Sequence, residues 1–286
     1  MKKKKMKRFF VEEMESADFR EPYQKAIEKV TGILQEYRDF TKQDDHQRIE
    51  LVTARMKTPQ SAYEKLKRKG RQLTAENARR TLNDLAGVRV VCCYYEDVYQ
   101  VANMLISRPE LTLIKQKDFI CSPKNSGYRS LHLIFEVQGI EMLPEEEILR
   151  KLREAGTGTE NGEEDAEESE KSEESEESEE AVPDMSPEKD YSEKSEKDYS
   201  EETKNACPEE PENRVPGDPS LLPGVRVEIQ IRTLTMDAWA RLDHELRYKK
   251  EYGEIGKIMK ALRKCSDSIA EVDDKMQEIL EWIREA

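Results

Sequence analysis

The chain is 286 residues long, enough for one or two domains, and 38% of it is charged. Its five cysteines are odd in number and form no C-x-x-C pair, which argues against a disulfide scaffold or a zinc site and fits a reducing cytoplasm. The net charge of −14 hides two parts: Glu154–Glu212 holds 25 acidic and 5 basic residues, a net of −20, and the rest is mildly basic at +6, a balance that favours anionic ligands such as nucleotides or RNA.

Met1–Arg8 is a lysine cluster with no apolar run of signal-peptide length behind it. It reads as a solvated, frayed terminus, with contact to nucleic acid or anionic lipid as the other reading. No stretch reaches the roughly 18 apolar residues of a transmembrane helix, so no membrane is expected. Phe19, Tyr23, Ile27, Val30, Leu34 and Tyr37 recur at spacings of three and four and predict an amphipathic helix, in which Pro22 is tolerable only near the first turn. A second helix is expected over Asp45–Val52. Thr58 and Pro59 make a good N-cap and first helical residue, and Gly70 a good stop. A short helix over Thr74–Leu82, a strand over Gly87–Tyr95, a helix over Val98–Ile106 and a strand over Leu111–Ile120 follow. Pro123–Gly127 is a turn into the strand Tyr128–Val137, and a short helix can follow Pro144. After the strand Val225–Ile231 come a helix over Thr235–Tyr248 and a long last helix with the apolar stripe Met259, Leu262, Ile269, Val272, Met276, Ile279 and Ile283. Strands separated by helices imply an α/β or α+β fold, a mixed sheet flanked by helices.

Glu154–Glu212 contains no Leu, Ile, Phe or Trp. It cannot bury enough apolar surface to offset its ordering entropy and is expected to be disordered. Such a loop adds little closure cost, since each doubling in length costs only about 0.6 kcal/mol. The expected organisation is a helical region over 1–53, a main domain from 54–143 and 221–250, an acidic insertion over 144–220, and a C-terminal helix over 251–286.

Four groups of residues carry chemistry. Arg55, Lys57, Ser61, Lys65 and Arg68 surround a capped helix start, which reads either as a polyphosphate cradle or as a solvated basic face. Asp84 stands just before a strand that contains Arg89. The pair reads as a structural bridge, or as a magnesium ligand beside phosphates with a guanidinium that stacks on a base. Lys124, Tyr128, Arg129 and His132 offer cations and an aromatic plane, although a satisfied, partly buried role suits His132 as well. In Val225–Ile231 the alternation is strict. Val225, Val227, Ile229 and Ile231 point one way; Arg226, Glu228 and Gln230, with Arg232 after them, point the other. Glu228 is either salt-bridged to Arg226 or Arg232, or a general base.

Together these groups resemble the synthetase domain of the RelA/SpoT family, in particular the small, single-domain alarmone synthetases. The matching text is R-M-K-T-P-Q-S-A-Y-E-K-L-K-R-K-G, D-L-A-G-V-R-V-V-C, K-D-F-I-C-S-P-K-N-S-G-Y-R-S-L-H and V-E-I-Q-I-R-T-L-T-M-D-A-W-A-R-L-D-H-E-L-R-Y-K. It spans Arg55–Lys249 apart from the acidic insertion. The resemblance implies a nucleotidyltransferase-like fold and pyrophosphate transfer from ATP to the 3′-hydroxyl of GDP or GTP. It also implies a role for each matching residue. Arg55 and Arg89 would sandwich adenine, and Lys57, Ser61, Lys65 and Arg68 would hold the ATP phosphates. Asp84 would bind magnesium with Glu228 close to it, and Tyr128 would stack on guanine. Lys124 and His132 would meet acceptor phosphates, Gln230 would shape that pocket, and Glu228 would take the hydroxyl proton. A homotetramer packed through terminal helices is implied too.

The chain departs from the pattern in Ser126-Gly127, where many relatives have Asn-Gly, and in the long insertion. No adjacent His-Asp pair is present, so a hydrolase domain is not expected, and some 35 residues after Lys249 leave little room for regulatory domains. The competing readings are a toxin-type enzyme that places pyrophosphate on the 3′ end of tRNA, and a non-enzymatic nucleotide- or RNA-binding regulator.

Overall fold

The computed structural model describes residues 2–43, 47–143, 145–156, 224–248 and 255–285. Helices α1 (Lys2–Glu15) and α2 (Ala17–Thr41) come first. The terminus is therefore not frayed: α1 is helical through the lysine cluster, and Phe10 and Met14 are buried. Ser16 caps α2 by accepting from Phe19 N at 3.3 Å. Pro22 lies in the second turn of α2, one turn later than expected, where its ring is buried and one helical hydrogen bond is forgone.

The sheet has five strands in the order β1-β2-β5-β4-β3. They are β1 (Ile49–Met56), β2 (Ala86–Cys92), β3 (Leu111–Asp118), β4 (Leu131–Val137) and β5 (Arg226–Thr233). β2 and β5 are parallel and the other pairs antiparallel, so the sheet is mixed as expected. The helix expected over Asp45–Val52 is not formed where the chain is described. Residues from Ile49 belong to β1, and Asp45 and His46 lie outside the described residues. β1 is an edge strand whose outer residues are exposed, so the alternation that marks a strand is blurred in its sequence.

Between strands the predicted elements hold, with shifted ends. Thr58 caps α3 (Pro59–Arg68), and Gly70 at φ 63° follows its C-cap. Thr74 caps α4 (Ala75–Thr81), and α5 (Tyr95–Ile106) takes over the end of the strand expected to reach Tyr95. β3 stops at Asp118, because that carboxylate accepts from Ile120 N and Cys121 N at 2.8 and 3.0 Å and turns the chain. β4 starts at Leu131 and not at Tyr128, since Tyr128 O accepts from Lys124 N inside the turn. A helix α6 (Glu145–Gly156) occupies the start of the region expected as insertion, with Ile148 buried; the acidic stretch beyond it lies outside the described residues. Helices α7 (Leu234–Tyr248) and α8 (Ile255–Glu285) complete the chain. No described helix is long and apolar enough to cross a membrane.

Register decides which side chains meet. One face carries the rows Ala86–Val227–Phe135, Val88–Ile229–Leu133 and Val90–Ile231–Leu131, all buried in the core. The other face carries Thr53–Arg89–Gln230–His132–Lys117 and Arg55–Gly87–Glu228–Ile134. The face with the polar rows is the one on which the chemistry gathers.

α8 backs this face at the turn that leads into β4. Ser266 Oγ donates to Gly127 O, Arg263 donates to Lys124 O at 3.1 Å, and Arg129 pairs with Asp267 at 3.3 Å. Gly127 has φ 91°, and a Cβ there would stand 2.6 Å from Ser266 Cβ. Gly127→Ala is expected to destabilise the protein by about 1–3 kcal/mol. In thermal unfolding, the double variant Gly127→Ala/Ser266→Gly should recover only the steric part of that loss.

Candidate active site

The first half of the site is built by β1, α3 and the approach to β2. Lys57 N donates to Leu85 O at 2.9 Å, tying the start of α3 to the segment before β2. Thr58 Oγ1 accepts from Ser61 N at 3.2 Å, which holds the helix start and buries Ser61. Lys57 and Lys65 both point at Asp84 Oδ2, at 3.2 and 2.8 Å. Lys65 is thus drawn into the site, whereas Arg68 is exposed in the last turn of α3, on the same face. Asp84 Oδ1 is buried and has no partner. One oxygen is shared by two lysines, and the other is buried without a hydrogen bond.

Arg89 does not bridge to Asp84. It pairs with Asp237, in the first turn of α7, at 3.5 Å, and its buried Nε has no partner. Burial first, then Arg232, lower the pKa of Arg89 from its ordinary value, and Arg55 contributes in the same direction. The same Asp237 Oδ1 accepts from Arg232 at 3.4 Å, and Asp237 Oδ2 holds Arg241 at 2.5 Å. This carboxylate went unassigned in the sequence reading. Its signal was there: Arg232 five residues before it and Arg241 four after.

The second half surrounds Tyr128. Its ring packs edge-on against Phe119 and His132, at 6.0 and 5.8 Å between centroids. Lys124 Nζ stands 5.1 Å from the Tyr128 ring and 4.7 Å from Phe119, while the Arg232 guanidinium lies 5.0 Å from the Tyr128 ring. Phe119 was also missed; an apolar residue after the charged pair Lys117-Asp118 gave no hint of it. His132 has both ring nitrogens engaged, Nε2 with Tyr128 Oη at 2.8 Å and Nδ1 with Glu228 Oε1 at 3.3 Å. Gln230 Nε2 donates to Glu228 Oε2 at 3.1 Å. Neither salt bridge anticipated for Glu228 forms: Arg226 donates to Asn83 at 2.9 Å, and Arg232 turns to Asp237.

The fold brings most of the expected residues to one face, with Arg68 exposed at the end of α3. Arg55, Lys57, Ser61, Lys65, Asp84 and Arg89 form one end, Lys124, Tyr128, His132 and Gln230 the other. Glu228 lies between, close enough to Lys65 to feel its charge. Burial alone would raise the Glu228 pKa, but the hydrogen bond and charge of His132, then Gln230 and Lys65, lower it to about 2. Burial pushes the His132 pKa down, against the pull of Glu228. At neutral pH the site therefore holds an ionised carboxylate beside a neutral imidazole.

Both depressed values make stability fall in acid. The unfolded chain binds more protons than the folded one below the ordinary histidine value, and again between about 4.5 and about 2 at Glu228. Stability is thus fully present above pH 6.5 and declines as the pH falls through these windows. Denaturant unfolding at a series of pH values should show both declines, and Glu228→Gln should flatten the lower one.

A family model described as "Region found in RelA / SpoT proteins" matches residues 54–161 and 171–253. The chain is 28% identical over 266 residues to GTP pyrophosphokinase YjbM of Bacillus subtilis, covering 93% of this chain and 88% of that protein. It is 42% identical over 92 residues to GTP pyrophosphokinase YwaC of the same organism, covering 32% of this chain and 44% of that one. The crystal structure of the small alarmone synthetase 1 from Bacillus subtilis bound to its product pppGpp is similar with a TM-score of 0.59 at 26% identity, over 93% of this chain and 96% of that one. With two-thirds of its length matched by the family model, the chain belongs to the RelA/SpoT family.

Proposed function

We propose that this chain is a (p)ppGpp synthetase, transferring the pyrophosphoryl group of ATP to the 3′-hydroxyl of GDP or GTP and releasing AMP. One observation carries the reading: β5 sets Glu228 between a lysine-lined carboxylate on one side and an aromatic platform rimmed by cations on the other. A donor polyphosphate and an acceptor nucleoside fit those two ends. In the relatives' names the same activity appears, as GTP pyrophosphokinase.

The donor binds at α3. Arg55 and Arg89 sit on adjacent strands of the polar face and enclose the adenine between planar cations. Lys57, Ser61, Lys65 and Arg68 hold the phosphates. Asp84 fits magnesium, because its buried Oδ1 is unpartnered and magnesium takes few carboxylates and many phosphate and water oxygens. Among the described residues no group of three His, Cys, Asp or Glu side chains could hold the ion, in keeping with an ion that arrives with its nucleotide. Magnesium held there, with Glu228 close to it, would neutralise the charge that builds on the phosphates.

The acceptor binds at β4. Tyr128 stacks on guanine, Lys124 neutralises an acceptor phosphate, and His132 and Gln230 orient the pocket. The 3′-oxygen attacks the β-phosphorus of ATP as the bond from that phosphorus to the α-phosphate oxygen breaks, and AMP leaves. Glu228 accepts the hydroxyl proton. A carboxylate of low pKa is a weak base but is always ionised at neutral pH, as in kinases, where an Asp accepts the substrate hydroxyl proton. Each of its oxygens accepts one hydrogen bond here and keeps a lone pair for the hydroxyl. We place the reaction in the cytoplasm, where the free thiols of Cys92, Cys93, Cys121 and Cys265 stay reduced.

Incubation with labelled ATP and GDP, GTP or tRNA tests the reading. Label on guanosine tetra- or pentaphosphate with AMP release is expected, and Glu228→Gln should lower kcat by about 10²–10⁴. Label on tRNA alone would overturn it.

We further propose that the chain self-associates through α8. The side of α8 that meets the body carries Leu262, Ser266, Asp273 and Leu280, whereas Val272, Met276, Ile279, Trp282 and Ile283 are 45–66% exposed. A helix that turns its apolar residues outward needs a partner for them. The double variant Met276→Glu/Ile279→Glu should run as a monomer in light scattering. A wild-type protein already monomeric at micromolar concentration would end this proposal.

A further inference from the structure

The hydrogen bonds around Glu228 have forced directions. Glu228 is ionised and can only accept, so His132 Nδ1 must carry a proton and donate to it. His132 is neutral, so its Nε2 is an acceptor and the Tyr128 hydroxyl donates to it. Tyr128 Oη can then accept, and it does, from Arg232 Nη2. On the other side Gln230 Nε2 donates to Glu228, which leaves Gln230 Oε1 to accept from the same Arg232 Nη2 at 2.7 Å. Two arms therefore leave one guanidinium nitrogen and close on the two oxygens of one carboxylate. The first runs Arg232–Tyr128–His132–Glu228, and the second Arg232–Gln230–Glu228.

The origin of both arms is itself fixed. Arg232 is 4% exposed. Its Nε donates to Ser130 Oγ at 3.2 Å and its Nη1 to Asp237 Oδ1 at 3.4 Å. Every nitrogen of the fork is committed, in a way that a lysine ammonium at the end of a flexible stem cannot reproduce.

We propose that Arg232 is a positioning residue for the transfer, setting Tyr128 and Gln230 in the orientations that aim Glu228 at the acceptor hydroxyl. Arg232 touches no reacting atom. It acts by holding the tyrosine whose ring meets the base and the glutamine that fixes the second oxygen. Asp237 extends this order to the donor end, since its Oδ1 also holds Arg89. The role of Arg232 rests on the pyrophosphotransfer reading above; the directed network itself does not.

Two variants and two readouts test this. Arg232→Lys keeps the charge and loses the fork. Tyr128→Phe keeps the ring and loses only the hydroxyl, at a partly exposed position where folding is not at stake. In both, a fall in kcat of about 10- to 100-fold is expected, the scale of a small misplacement of reacting groups. The KM for ATP should stay within about 2-fold, because the loss falls on alignment and not on donor binding. The second readout needs no activity: ¹⁵N NMR of the histidine side chains, with His46 and His244 replaced by Gln.

In the wild type His132 should be the neutral Nδ1–H tautomer at pH 7. Its charged neighbours are Glu228 and Arg232 from β5, Lys124 from the acceptor turn and Lys117 across from it on β3, with the Tyr128 hydroxyl as its one further titratable contact from the turn. Loss of the hydroxyl that donates to Nε2 removes a contact that favours the neutral ring. The His132 pKa should therefore rise by about one unit in Tyr128→Phe, the worth of one hydrogen bond, and the acid limb of kcat/KM should move to higher pH with it. A merely structural role would lower the yield of folded protein and leave the tautomer, the pKa and the pH profile where they were. An Nε2–H tautomer in the wild type, or an unmoved His132 pKa in Tyr128→Phe, overturns the proposal whether or not Arg232→Lys folds. If the wild type makes no alarmone yet shows the expected tautomer and shift, the activity fails and the network stands.

Discussion

The parallel pairing of β2 with β5 is the contact on which the site depends. It joins segments some 140 residues apart in sequence and sets Gly87 against Glu228 and Arg89 against Gln230. The core fixes this register. Val227, Ile229 and Ile231 are fully buried, and each such side chain contributes about 1.5–3 kcal/mol through burial. A slip of one residue would turn that row to the solvent face and sink Glu228 and Gln230 into the core. Packing on one face of β5 thus dictates chemistry on the other.

The polar face concentrates cations and supplies few counterions. Asp84 serves Lys57 and Lys65; Asp237 serves Arg89, Arg232 and Arg241. Each of these carboxylates is thus shared by more than one cation. Fully paired charges would leave nothing for a polyphosphate to neutralise, and unpaired ones would not tolerate burial. The arrangement keeps the cations in place beforehand, so little reorganisation is needed when phosphate charge arrives.

Much of this was legible in the amino-acid order. The alternation around Glu228 gave the faces of β5, and the caps at Thr58 and Thr74 gave two helix starts, because both signals are local. The first half of β1 was read as helix because an exposed edge strand has no buried row to mark its period. The helix α1 was missed because its lysines masked Phe10 and Met14, which are buried only through tertiary packing. Among site residues, those of the family pattern were given roles, whereas Arg232 was named only as a possible partner of Glu228 and Asp237 not at all. Arg232 meets Tyr128 and Ser130 only because the folded sheet brings them beside it, and Asp237 was passed over although Arg232 and Arg241 flank it in sequence.

The topology also bears on how the protein is made. β5 is the central strand of the sheet, yet it is translated last of the five, after residues 157–223 have passed through the ribosome. Until it emerges, β2 and β4 each present a bare hydrogen-bonding edge, the form of backbone that recruits neighbouring chains. At about 5–20 residues per second that gap lasts several seconds. The segment extruded during the wait is the most acidic in the chain, and like charges on neighbouring nascent chains repel.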